Sequence, residues 1–100
     1  MVEVRWTVQA EEDVATIAEY IAKDSEKYAK IQVDRFLEAA EILETYPKTG
    51  RIIPETNLDN LRELIVGNYR IMYALISDTR VDILSVHHSK RLLSNNPAFD

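Results

Sequence analysis

The groups best suited to proton or phosphate chemistry lie late in the chain: Arg70, then His87, His88, Lys90 and Arg91. A guanidinium is permanently charged and grips phosphate oxygens two at a time, so Arg70, which strand pairing places on the face expected to be open, is a candidate anion contact. An imidazole titrates near neutrality, so His87 or His88 can act as a general acid or base. Adjacent residues on a strand point to opposite sides, so the two imidazoles do not share one face. They are poorly placed to ligate one metal together, and no carboxylate stands at a supporting spacing; no metal site and no cofactor are expected. Each candidate has a plainer alternative. Arg70 can pair with Glu63, a surface contact of about 0–1 kcal/mol. His88 can pack on Tyr69, the role preferred for it, and Lys90 and Arg91 can simply end a strand in water. Arg51 reads as a solvated or structural loop arginine, and Arg62 and Glu63 as edge charges that discourage aggregation.

The elements that must position these groups follow from periodicity. Val2, Val4 and Trp6 alternate with polar residues, the pattern of a strand with one buried face. From Thr7 or Gln9 a helix repeats Ala10, Val14, Ile17, Ala18 and Ile21, with Glu11, Glu12 and Asp13 in the first turn, where they suit the macrodipole. Ser25 is a plausible cap for a second helix that buries Ala29, Val33, Phe36, Leu37, Ala40 and Leu43 and stops near Tyr46 before Pro47. The two helices read as an antiparallel hairpin, with Tyr20, Tyr28 and Tyr46 in its packing. Residues 47–61 hold two prolines and a glycine and read as a loop tacked down by Ile52 and Ile53. Strands are expected near 62–66, 69–76 and 81–87, joined by Gly67-Asn68 and by Ser77-Asp78-Thr79-Arg80. Residues 93–100 read as a flexible tail of one domain spanning 1–100.

Pairing Val66 with Tyr69, and Ile76 with Val81, assigns the sheet two faces. Leu64, Val66, Tyr69, Ile71, Tyr73, Leu75, Leu84 and Val86 form the side that receives the helices. Glu63, Ile65, Arg70, Met72, Ala74, Ile83, Ser85 and His87 form the other side, expected to be open. Its apolar members, Ile65, Met72 and Ile83, then mark an interaction surface, because exposed apolar patches commonly do.

Composition narrows the function classes. With 100 residues and 46% hydrophobic content the chain suits one folded domain. There is no cysteine, so disulfides and thiolate metal sites are impossible. No apolar run is long enough to cross a bilayer and no secretory signature opens the chain, so no membrane role and a cytoplasmic location are expected. The net charge is −5, divided unevenly: 7 Lys/Arg against 13 Asp/Glu over residues 1–61, and 5 against 4 beyond. General nucleic-acid binding is therefore disfavoured, while a local basic site on the C-terminal sheet stays open.

The ordered set Val4-Arg5-Trp6-Thr7 with Ala10, Asp13 and Ile17; Tyr20-Ile21; Pro47 with Gly50-Arg51; Pro54-Glu55; Arg62-Glu63-Leu64; Tyr69-Arg70-Ile71-Met72-Tyr73; and Val86 with His88 and Arg91 resembles the RelE/ParE superfamily of toxins from type II toxin–antitoxin systems. The resemblance implies an α+β fold in the order β-α-α-β-β-β, a helical hairpin on one face of a small antiparallel sheet. It also implies growth inhibition, a link to plasmid stabilization, and a cognate antitoxin that silences the toxin. RelE-like members cleave ribosome-bound mRNA with basic and aromatic residues of the open face, which would make Arg70, His88 and Arg91 catalytic. ParE-like members inhibit DNA gyrase and have no accepted catalytic residues. The Arg62-Glu63-Leu64 strand and the long hairpin look ParE-like, since RelE-like nucleases carry a lysine pair where this chain has Arg62-Glu63. The expectation is a gyrase inhibitor, with ribosome-dependent cleavage as the alternative and an inactive binding member, even a homodimer, as a third. Ile65, Arg70, Met72, Ile83, His87, Lys90 and Arg91 are the expected antitoxin or target contacts.

Overall fold

The computed structural model describes residues 1–89, so the expectations for Lys90, Arg91 and the 93–100 tail lie outside the described residues. Strand β1 (Glu3–Trp6) leads through helices α1 (Val8–Ala22) and α2 (Glu26–Thr45) to β2 (Arg51–Ile52), β3 (Leu61–Val66), β4 (Tyr69–Ser77) and β5 (Arg80–His88). The sheet order is β1-β5-β4-β3-β2, antiparallel except that β1 runs parallel to β5 at one edge. The α+β architecture is the one expected, with the two-residue β2 added inside the predicted loop.

Local chemistry explains the helix limits. The Thr7 hydroxyl accepts from the Ala10 amide and the Ser25 hydroxyl from the Tyr28 amide, so each helix begins at a side chain that satisfies an otherwise orphaned donor. Thr7 also donates from its backbone and its hydroxyl to the Ile83 carbonyl, tying the start of α1 to β5. Asp13 departs from its expected role at the helix dipole. Its carboxylate accepts from the Val86 amide at 3.0 Å and is steadied by Gln9 at 2.8 Å, a clamp between α1 and the last strand.

The core joins Ala10, Phe36, Ala40 and Leu43 of the helices to Ile71, Tyr73, Val81, Ile83 and Val86 of the sheet. Gly67 takes φ +60° at the β3–β4 turn, a conformation that glycine adopts without the penalty a Cβ brings. The predicted pairs Val66–Tyr69, Leu64–Ile71 and Arg62–Tyr73 are all present, as are Arg70–His87 and Ile71–Val86. The pairing of Ile76 with Val81 is not. Leu75 pairs with Val81 instead, and two irregularities, which leave Leu84 and Ile76 unpaired, shift the middle of the ladder by one residue. Ile83 is thereby moved from the predicted open face into the helix-side core, fully buried.

Two further corrections concern the helices. Tyr20, Tyr28 and Tyr46 are all exposed and do not pack the hairpin, and Leu37 is 47% exposed where burial was expected. Among the described residues no helix is long and apolar enough to cross a membrane.

Candidate functional site

The sheet face opposite the helices is not open. Residues 47–60 fold back over it: Ile53 is fully buried, and its amide bonds the Leu61 carbonyl. Met72 and Ser85 are fully buried, while Arg70 and His87 retain only 5% and 6% of their exposure. The contact surface expected from Ile65, Arg70, Met72, Ile83 and His87 therefore reduces, among the described residues, to Ile65, which is 53% exposed. The reason is the loop, whose hydrophobic anchor and acidic side chain cover what no helix reaches.

Arg70 lies at the centre of an ion network on this face. Its Nε donates to Glu63 Oε1 at 2.5 Å, and Nη1 and Nη2 donate to the two oxygens of Glu55 at 2.8 and 2.9 Å. The second oxygen of Glu63 accepts from Arg51 Nε at 2.6 Å. The Glu63 side chain is entirely buried, whereas that of Glu55 is 37% exposed. The pairing of Arg70 with Glu63 allowed by the sequence is thus real, but it is the buried centre of a four-residue cluster with Glu55 and Arg51 and not a weak surface pair. The Arg70 hydrogen bonds hold the Glu55 carboxyl below the ordinary carboxylate range, and the same bonds from Glu55, with those of Glu63, raise Arg70 further. His87 stands opposite Arg70 across the β4–β5 ladder.

The other arginines hold the covering loop in place. Arg62 donates to the carbonyls of Asp59, Lys48 and Gly50 and to the Asp59 carboxylate. The Tyr73 hydroxyl accepts from the Gly50 amide at 2.9 Å and donates to the Pro47 carbonyl at 2.8 Å; burial pushes its pKa up. A Cβ on Gly50 would stand 2.5 Å from that hydroxyl and 2.6 Å from the Glu63 carbonyl, so this position accepts no side chain without movement.

His88 packs edge-on against Tyr69, ring centres 5.8 Å apart, which is the packed role preferred for it. It lines a cleft of about 430 Å³ with Asp13, Thr16, Tyr20, Tyr69 and its neighbour His87. The structure thus sets His87 opposite Arg70 across the ladder, while His88, one residue further along β5, pairs with Tyr69 and shares with His87 the lining of this cleft. Among the described residues no group of three or more His, Asp or Glu is placed to hold a metal. Sequence reasoning overlooked two features. One is Glu55, whose position after Pro54 in a loop gave no pairing signal. The other is an apolar trough of about 580 Å³ between the helices, lined by Trp6, Val14, Ala15, Ala18, Val33 and Leu37 with Glu11 at its side.

Comparison with known proteins places this geometry. The family described as the ParE toxin of type II toxin–antitoxin systems matches residues 4–93. The chain belongs to this family. It is also 34% identical over 92 residues to Toxin RelE2 of Caulobacter vibrioides, covering 92% of this chain and all of that protein. Among solved structures, the chromosomal ParDE system from P. aeruginosa superposes with a TM-score of 0.71 at 19% identity, covering 88% of this chain and 96% of that one. The RelBE2 toxin–antitoxin complex of Mycobacterium tuberculosis gives 0.62 at 26% identity, over 87% and 96%. The chain is a toxin of the RelE/ParE superfamily, and its helical hairpin on a five-stranded sheet is that superfamily's fold.

Proposed function

We infer that this toxin acts in the cytoplasm by binding, in the ParE manner, inhibiting DNA gyrase without breaking a phosphodiester bond, and that a cognate antitoxin neutralises it. The observation that carries the reading is the state of Arg70. It is the leading candidate for a phosphate contact in a nuclease, and it is buried with both ends of its guanidinium bonded to carboxylates. A phosphate approaching it meets the Glu55 carboxylate first, with Glu63 buried behind, the reverse of the preorganised positive site that phosphodiester cleavage needs. What the toxin does present is apolar surface. The trough between α1 and α2, with Leu37 half-exposed at its side, suits the apolar face of an antitoxin segment.

Induced cells test the mechanism. Expression is expected to arrest growth with loss of negative supercoiling and with DNA breaks, while ribosome-bound transcripts stay intact. Site-specific cutting of those transcripts would instead support the RelE manner, a reading favoured by the name of the Caulobacter relative. Co-expression with the product of the adjacent gene tests the partner. Rescue and co-purification are expected with the unaltered toxin, and at least about a tenfold loss of affinity with Leu37→Glu, which sets a charge in the apolar trough.

A further inference from the structure

The two carboxylates on Arg70 differ in kind. Glu63 is fully buried on a central strand and is also bonded by Arg51, so it is a fixed part of the sheet. Glu55 comes from a loop, is more than a third exposed, and meets the outer edge of the guanidinium with both oxygens. That outer edge is the one a guanidinium offers to an incoming planar anion. The short stretch around it is secured by main-chain and hydroxyl bonds from Thr56 and Asn57 to the Ile53 carbonyl, none of which involves the Glu55 side chain.

We propose that the outer edge of Arg70 is a docking site for a single peptide-borne carboxylate, which the free chain fills with its own Glu55. The occupant already seated there is the template, since it is a carboxylate carried on the Pro54-Glu55-Thr56 turn. Charge selects the class. Arg70 and Arg51 against Glu63 leave one positive charge for one monoanion. A nucleic-acid backbone brings successive charges towards a chain of net charge −5, while an aspartate or glutamate of a protein partner brings one. The site stands apart from the choice between gyrase and ribosome, because it concerns only what can replace Glu55.

The full chain and its Glu55→Ala and Glu55→Gln variants are titrated with acetate and with the peptide acetyl-Ile-Pro-Glu-Thr-amide. Chloride at equal ionic strength is the control, and the Arg70 Nε–H resonance and the melting temperature are read. Both variants are expected to bind the peptide about tenfold or more tightly than wild type, because the internal competitor is gone. The wild-type resonance is expected to move in the same direction at correspondingly higher peptide concentration. Acetate is expected to raise the melting temperature of Glu55→Ala, and the same peptide with glutamine for glutamate is expected to do nothing. The proposal is overturned if the folded variants bind no better than wild type, or if the wild-type resonance never moves. Stronger binding of dimethyl phosphate than of acetate would overturn it equally, since the site would then favour a phosphodiester. If Glu55→Ala loses its fold, the Glu55→Gln titration decides alone.

Discussion

Replacing Glu63 or Arg70 by methionine tests whether the network is as buried as its geometry says. Glu63 has no exposed side-chain surface and Arg70 only 6%. Removing one member strands the other in a poor dielectric, and breaking such a pair costs about 3–5 kcal/mol. Each survivor keeps one partner, Glu55 for Arg70 and Arg51 for Glu63. The lower end therefore applies, about 3 kcal/mol for either single change. For a domain of this size that lowers the melting temperature by about 12 °C or more. Removing both charges together exchanges an ion pair for two apolar side chains, which is often neutral. The Glu63→Met, Arg70→Met double variant is thus expected to be no less stable than either single, giving a coupling of about 3 kcal/mol or more. Urea denaturation followed by far-ultraviolet circular dichroism measures all four corners of the cycle. Single variants within about 1 kcal/mol of wild type, or a double variant equal to their sum, would refute the burial argument. A folded double variant has a second use: its toxicity should survive if Arg70 takes no part in chemistry.

Two shorter expectations follow from neighbouring geometry. Gly50→Ala should cost about 2–3 kcal/mol in a urea titration, since its Cβ meets the Tyr73 hydroxyl and the Glu63 carbonyl well inside contact distance. An unchanged midpoint would mean that the loop is not seated as described. The Glu55 carboxyl titrates below its ordinary value near 4.5 because of Arg70. The unfolded chain therefore binds more protons in the window just below that value. Stability from Glu55 is complete above about pH 4.5 and is lost as the pH falls through the folded pKa. Melting temperatures of Glu55→Gln across that window should show a shallower acid slope than wild type, and identical slopes would count against the pairing.

Much of this architecture could be read from residue order. Thr7 and Ser25 announce helix starts because their hydroxyls cap, and the Gly67 turn fixes the register of β3 on β4. The shift at Leu84 was legible in principle. Val81, Ile83 and Val86 all belong to the helix-side core, and their spacing of two and then three residues requires one extra residue between the last two. What periodicity could not supply was the covering of the second face. Loop 47–60 has no repeat, so although the expected anchoring by Ile53 is present, nothing local shows which face the loop covers or that Glu55 bonds an arginine 15 positions later. The open-face expectation failed there, because a face without a helix was equated with a face without cover. The tyrosines failed for the opposite reason: aromatic character was read as packing, while Tyr20 on α1, Tyr28 on α2 and Tyr46 just after α2 are all exposed to water.

The arginines argue for a binding protein by what they are spent on. Arg62 holds the carbonyls of Lys48, Gly50 and Asp59, Arg51 holds Glu63, and Arg70 holds both Glu63 and Glu55. All three therefore fasten the 47–60 segment or the strand beneath it, and the cationic character of the central sheet is neutralised where it arises. A chain with net charge −5 whose central guanidiniums are so engaged attracts a polyanion weakly. Apolar groups are exposed on its surface, with Leu37 beside the interhelical trough, Ile65 next to the β3–β4 turn and Tyr20 near the His88 cleft. Desolvating surfaces of that kind is what drives protein–protein association. Under the binding mechanism we propose, such a toxin works by occupying a protein and is silenced by being occupied. An antitoxin that covers the trough removes the same apolar surface on which a protein target would rely.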